Sequence, residues 1–302
     1  MTYSVTQYNS EDLSELADFL NRNWEFDTIH ESQLEEKLNG DPNWMPELTY
    51  VCRSINKIIG FMQGVIRDIR GTRYGYIKLM AVEKTYRRKG IAGTMYQKLE
   101  NNLQSLDVNV VRIYDVPLNY WMPGIDPRYT PALCFAEKMG FERFADRVNM
   151  LTDLYSHNWD TDSLEQELKS FQIEVKRADK ADKKGILDFI SKEWALWSNE
   201  IEMAFKDDPP SIHIALLDGE IKAFSAHNAN NKGMGWFGPM GTHPDMRGKG
   251  IGAILLKRCL KDMKEQGLRH SIIPWVDPIC FYAHHANARI DRIFWRYEKK
   301  LE

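Results

Sequence analysis

Thr242-His243-Pro244-Asp245-Met246-Arg247-Gly248-Lys249-Gly250-Ile251-Gly252 is the stretch on which the reading of this chain turns. A strand is expected just before it, Trp236–Thr242, and a helix just after it. In that helix Ile251, Leu255, Cys259 and Met263 recur at every fourth residue and form one apolar face. A strand that ends in an Arg/Gly turn and continues as a helix presents unpaired backbone N–H groups at the helix start. With the helix dipole, these suit a phosphate or diphosphate. Glycine at Gly250 and Gly252 lets the backbone come close to such a ligand, and Arg247 and Lys249 supply countercharge.

The turn occurs twice. Arg87-Arg88-Lys89-Gly90-Ile91-Ala92 matches Arg247-Gly248-Lys249-Gly250-Ile251-Gly252 at an offset of 160. Asn56–Phe61 is echoed by Gly219–Phe224 at 163, and Asp18–Trp24 by Asp188–Trp194 at 170. Three matches in the same order with a drifting offset describe a duplicated domain with unequal loops. An ordinary basic loop at a helix start would explain one copy, but not its recurrence at equivalent places in both.

Each copy reads as alternating strands and helices. The first has strands at 3–8, 49–53, 57–67, 75–82 and 108–114, with a tight turn at Ile55-Asn56. Its helices fall at 10–24, 31–38, from Ile91 (with Met95, Leu99 and Leu103 on one face) and at 131–138, before closing strands after Phe141. The second repeats the order: strand 173–177, helix 180–193, strands 212–217, 221–226 and 236–242, the glycine-turn helix, strand 271–276, helix 279–285 and strand 290–297. The expected class is α/β, two tandem domains. Each is a mixed, mostly antiparallel sheet flanked by helices and locally parallel around the glycine turn. The borders are set at 1–155 and 171–302, with the polar stretch 156–170 as linker.

Composition narrows the function. At 302 residues, 43% hydrophobic and 27% charged, the chain is an ordinary globular protein of about two domains. A net charge of −3 excludes a generic nucleic-acid backbone binder. No apolar run nears the roughly 18 residues that span a bilayer. Met1-Thr2-Tyr3-Ser4-Val5 lacks the basic and apolar parts of a secretory signal, so a cytoplasmic location is expected. Cys52, Cys134, Cys259 and Cys280 have no metal or disulfide spacing, and no ligand spacing joins His227, His243, His284 and His285, so no metal is expected. The Walker lysine is absent. Gly248–Ala253 formally satisfies G-x-G-x-x-A, but Arg88 replaces the first glycine in copy one and no acidic residue follows at the dinucleotide spacing.

The shared spacing R-x-x-G-x-A/G after a strand resembles the acetyl-CoA signature of the GNAT superfamily of N-acetyltransferases, and the order of elements matches that fold over almost the whole chain. The resemblance implies acetyl-CoA as acetyl donor. The backbone of Arg247, Gly248, Lys249, Gly250, Ile251 and Gly252 would wrap its diphosphate. Met240-Gly241-Thr242, on a splayed strand, would bond the pantetheine and polarise the acetyl carbonyl. Met80, Ala81 and Val82 with Arg87, Arg88, Lys89, Gly90, Ile91 and Ala92 match in copy one.

In that superfamily a tyrosine on the helix after the next strand protonates the departing thiolate. Tyr282 matches that position and Ala136 holds it in copy one, so copy two is expected to be catalytic and copy one to bind acetyl-CoA without turnover. Asp277 is the candidate base or ammonium partner, with a turn aspartate before Pro278 as the competing reading. Tyr297 is a candidate for lining the acceptor pocket. Asn287 stands where relatives often have glycine.

Trp236-Phe237-Gly238-Pro239-Met240 and Trp275-Val276-Asp277-Pro278 resemble bacterial glucosamine/glucosaminide N-acetyltransferases, which implies an amino-sugar acceptor. Mycothiol synthase shares the tandem layout with a looser match. An aminoglycoside or polyamine N-acetyltransferase and a non-catalytic CoA-binding protein are the alternatives. No membrane partner is expected, and a monomer is compatible with a duplication that supplies its own pairing.

Overall fold

The computed structural model describes residues 2–301. In chain order the elements are β1 (Ser4–Gln7), α1 (Leu13–Asn23), α2 (Glu31–Lys37), β2 (Thr49–Ser54), β3 (Lys57–Ile69), β4 (Thr72–Val82), α3 (Ile91–Ser105), β5 (Val110–Ile113), α4 (Thr130–Lys138) and β6 (Glu142–Asp153). There follow α5 (Asp162–Lys169), β7 (Ile173–Arg177), α6 (Lys183–Glu193), α7 (Ser198–Ala204), β8 (Ile212–Leu217), β9 (Glu220–His227) and β10 (Phe237–Thr242). The chain ends with α8 (Ile251–Glu265), β11 (His270–Val276), α9 (Ile279–Ala286) and β12 (Arg289–Lys300). Among the described residues no helix is long and apolar enough to cross a membrane.

The chain forms two compact units. The first runs to Arg147 and resumes at Ile293, and the second is Val148–Arg292. Strands β6 and β12 each pass from one unit into the other along their length.

In the first unit β1, β2, β3 and β4 are antiparallel in sequence order, with Ser4 opposite Arg53 and Met62 opposite Met80. The two-residue turn at Ile55-Asn56 forms as expected, Ile55 taking φ 57°. Strand β5 joins β4 in parallel, Ile77 beside Ile113, and the far end of β12 closes this sheet against β5, Glu298 opposite Arg112. The stripe Ile91, Met95, Leu99 and Leu103 of α3 is wholly buried against it. Each such side chain contributes about 1.5–3 kcal/mol relative to exposure.

In the second unit β7, β8, β9 and β10 form an antiparallel sheet, and β11 pairs with the end of β6, Ile273 opposite Met150. Helix α8 buries Ile251, Leu255, Cys259 and Met263, the face expected from its period. The stretch 156–170, read as a linker, carries α5, whose Leu168 sits in the core with Ile251, Ile254 and Leu255. Helix α7 had no counterpart in the sequence reading.

Candidate functional site

Strand β10 is antiparallel to β9 but gains an extra residue between Phe237 (opposite His227) and Met240 (opposite Ser225). This is a bulge at Gly238, which holds φ 108°. On its other side Trp236, the residue just before β10, makes an isolated parallel bridge to Ile272 of β11. Beyond that bridge no ladder joins the two strands among the described residues, so they splay. His243 N donates to Lys222 O on the β9 side at 2.8 Å. Backbone direction alternates along a strand, so the amides of Thr242 and Met240 face the splay. Strand β11 is itself irregular there, with Trp275 at φ 50° and its N–H donated to Asn149 Oδ1 at 3.0 Å.

The chain leaves β10 through a short 3-10 turn, and Arg247 Nε donates back to Thr242 O at 3.3 Å. Gly248 (φ 80°) and Gly250 (φ 78°) then turn the chain into α8. A Cβ at either would meet nothing within 4 Å, so glycine is needed there for conformation and not for lack of space. The first helical bond runs from Ile254 N to Gly250 O, which leaves the N–H groups of Ile251, Gly252 and Ala253 without helical acceptors. At Gly252 the reason is packing, since a Cβ would lie 3.2 Å from Met240 Cε and 3.5 Å from Phe281 Cζ. The arrangement can hold an anion at the helix start and pair with an extended amide chain along the splay.

Copy one builds the same turn. Glu83 N donates to Ile59 O at 2.9 Å, Arg87 Nε to Val82 O at 3.1 Å, and Gly90 takes φ 84° before α3. Arg88 sits at φ 64° where copy two has Gly248, a conformation that costs a non-glycine residue about 1–2 kcal/mol. Lys89 Nζ turns back to Thr85 O at 2.8 Å.

Tyr282 lies on α9 with its ring edge-on to Phe237 (6.0 Å) and Phe281 (5.1 Å). Its hydroxyl has no hydrogen-bond partner among the described residues, and burial pushes the phenol up to about 12. Asp277 is exposed between β11 and α9, its carbonyl accepting from Ile279 N at 3.0 Å. Both belong to the second unit. Tyr297 lies in the part of β12 that belongs to the first unit and is buried there, where burial and the nearby Glu137 charge raise its phenol. Asn287 ends α9 at φ 48°, the left-handed position that Gly140 takes after α4, and asparagine tolerates it.

Two buried polar clusters were not foreseen. In the first unit Lys78 Nζ donates to Asp41 Oδ2 (2.5 Å), Asn119 Oδ1 (2.7 Å) and Lys37 O (2.7 Å), and Arg67 Nη2 donates to the same Asp41 oxygen at 2.6 Å. Burial alone would raise the Asp41 carboxyl, but the Lys78 and Arg67 charges hold it below its usual range. In the second unit Asp262 accepts from His213, His227 and Arg177. The available signals were a lysine inside the apolar run Tyr76–Met80 and an aspartate on the apolar face of α8. Among the described residues no three His, Cys, Asp or Glu side chains are arranged to hold a metal ion.

Comparison with solved structures places this architecture. A glucosamine N-acetyltransferase region of a fungal multi-domain GH3 β-N-acetylglucosaminidase superposes with TM-score 0.83 at 17% identity, covering 99% of this chain and 38% of that one. This chain therefore spans well under half the length of that fungal protein. A GCN5-related N-acetyltransferase from Sphaerobacter thermophilus gives 0.72 at 14% identity, covering 99% of this chain and 95% of that one. A tandem GNAT protein of the clavulanic acid biosynthesis pathway gives 0.71 at 13%, covering 99% and 98%. No curated protein matches by sequence. The acetyltransferase (GNAT) family matches residues 13–141 and again residues 162–285. With one match in each repeat and most of its length covered, the chain belongs to the GNAT family of acetyltransferases, as a tandem member.

Proposed function

We propose that the second unit transfers an acetyl group from acetyl-CoA to a primary amine, with glucosamine or a glucosaminide as the leading acceptor. The observation that carries the reading is the splay of β10 from β11 at Met240, one turn of chain away from the free N–H groups of Ile251–Ala253 and the cations Arg247 and Lys249. The helix start and loop suit the diphosphate of CoA, and the Thr242 N–H and the Met240 carbonyl suit the amides of its pantetheine.

In the reaction the amine lone pair forms the new C–N bond at the thioester carbonyl carbon, and the C–S bond breaks. The Met240 N–H stabilises the charge that develops on the carbonyl oxygen. Tyr282 gives its proton to the departing sulfur and regains one from solvent. A phenol kept protonated by burial, with a hydroxyl engaged by no group among the described residues, supports that role. The proton lost by the amine passes to water or to Asp277, whose exposed position also suits an approaching ammonium.

The first unit keeps the loop 87–92, but its helix α4, Thr130–Lys138, carries no tyrosine, which supports binding there without turnover. The amino-sugar acceptor is supported by the fungal neighbour, described as a glucosamine N-acetyltransferase region. The test is CoA release with glucosamine, its oligomers, aminoglycosides and polyamines. Turnover fastest with glucosamine or its oligomers is expected. Preference for a polyamine or aminoglycoside would move the acceptor, and silence with every amine would leave a CoA-binding protein.

A further inference from the structure

The two repeats differ at the splay. In the second unit the Met240 carbonyl has no side-chain donor among the described residues. In the first, Met80 O accepts from the indole Nε1 of Trp24 at 3.2 Å and from the hydroxyl of Tyr114 at 3.5 Å. Trp24 and Trp194 are equivalent residues, each closing its helix with N–H donated four residues back at 2.7 Å. Trp24 stacks on Trp121 at 5.9 Å, whereas Trp194 stacks on Trp197 at 5.8 Å and leaves β10's carbonyl alone.

The loops behind them explain the difference. Between β11 and α9 the second unit has only residues 277–278, while between β5 and α4 the first has 114–129. No residue from Tyr114 to Asp126 is exposed. This loop supplies Tyr114, Trp121 and Asn119, and its Pro117 carbonyl takes Arg67 Nε at 3.0 Å. Its end is pinned to the α1–α2 connection, Tyr129 donating to Asp27 Oδ2 at 2.7 Å and accepting from Phe26 N at 2.9 Å. Even the strand bulge is filled. Lys78 stands two residues before Met80 as Gly238 stands before Met240. Lys78 spends all three donors on Asp41, Asn119 and Lys37, whereas at Gly238 a Cβ would meet nothing within 4 Å.

The geometry points to Trp24 and Tyr114 as a built-in plug that makes the first unit a site for the nucleotide–diphosphate end of CoA alone, blind to whether the thiol carries an acetyl group. This rests on the reading of Arg87–Ala92 as a diphosphate loop. The acceptor atom on β4 that a pantetheine amide would need is already used twice, so the arm stays outside and no thioester reaches the strand.

The test is calorimetry on the whole chain with 3′-phospho-ADP, CoA and acetyl-CoA, in a Gly250→Asp variant that disables the second unit's loop. One equivalent of each is expected, with dissociation constants within about threefold of one another. Acetyl-CoA binding tenfold tighter than the nucleotide would overturn the plug and leave the loop reading intact. No binding of any of the three would overturn both. Adding Trp24→Leu and Tyr114→Phe is expected to make acetyl-CoA at least tenfold tighter than the nucleotide, and an unchanged ratio would overturn the role given to these two residues. The wild-type protein gives an independent readout, free of any folding defect. When it is saturated with CoA, half of the bound thiol is expected to react with Ellman's reagent at the rate of free CoA. Protection of all of it would overturn the proposal.

Discussion

The imidazole of His213 donates its Nε2–H to Asp262 Oδ2 across 2.7 Å in the core of the second unit. His227 reaches the same oxygen at 3.1 Å and Arg177 the other at 2.5 Å. Both partners titrate unusually. Burial would raise the Asp262 carboxyl, but hydrogen bonds from His213 and His227 outweigh it and hold it far below the carboxylate range. Burial lowers His213 against the pull of Asp262.

The sign follows from linkage. A depressed carboxyl gives stability that is present above its unfolded pKa of 3.8 and lost as pH falls through the folded value. A histidine depressed below 6.5 leaves the unfolded chain as the better proton acceptor, so acid again favours unfolding. The contribution of this cluster to thermal stability should be steady above pH 6.5 and decline from there through pH 4. In Asp262→Asn the loss at pH 7 should be about 3 kcal/mol, because Arg177 is left without its carboxylate, and the acid slope should flatten. Melting curves taken across that pH range check both, and an unaltered slope in the variant would remove Asp262 as its source.

Lys78→Met leaves the Asp41 carboxylate buried with Arg67 as its remaining cation. A loss of about 3–5 kcal/mol is expected, the range for breaking a buried pair from one side. Asp41→Asn with Lys78→Met should recover part of it. Urea denaturation of the single and double variants measures the coupling, and strict additivity would show that the pair does not act together.

Tyr282→Phe should fold like the wild type, since the hydroxyl has no hydrogen-bond partner among the described residues. Its kcat for acetyl transfer should fall about 10²–10⁴-fold with little change in the KM of acetyl-CoA. Initial rates of CoA release measure this, and an unchanged kcat would leave the proton to another group.

Gly250→Ala forces a left-handed residue at the start of α8, where φ is 78°. About 1 kcal/mol of stability should be lost. The KM for acetyl-CoA should rise tenfold or more while kcat at saturation holds. Steady-state kinetics separate the two, and a fall in kcat alone would place the loop outside diphosphate binding.

Much of this was legible because it is local. The stripes Ile91–Leu103 and Ile251–Met263 state their helices, and Gly90 and Gly250 state left-handed turns at equivalent helix starts. Tertiary facts were not. Nothing in the residues of 114–129 says that this Pro/Gly-rich loop is buried, because its burial depends on Asp41, Phe26 and Trp24 arriving from elsewhere. Lys78 reads as a misfit in a strand until Asp41 and Asn119 are in place. Tyr297 falls in a unit other than that of Tyr282 because a strand's pattern fixes its faces and not its neighbour.

The run of β12 from one unit into the other has a practical consequence. A gene fragment stopped at residue 155 would encode β5 without the strand that closes beside it, leaving Val110–Ile113 as a bare, sticky rim. Expressed that way, the front half would be expected to clump, and whoever dissects this protein would need to graft the last ten residues back on.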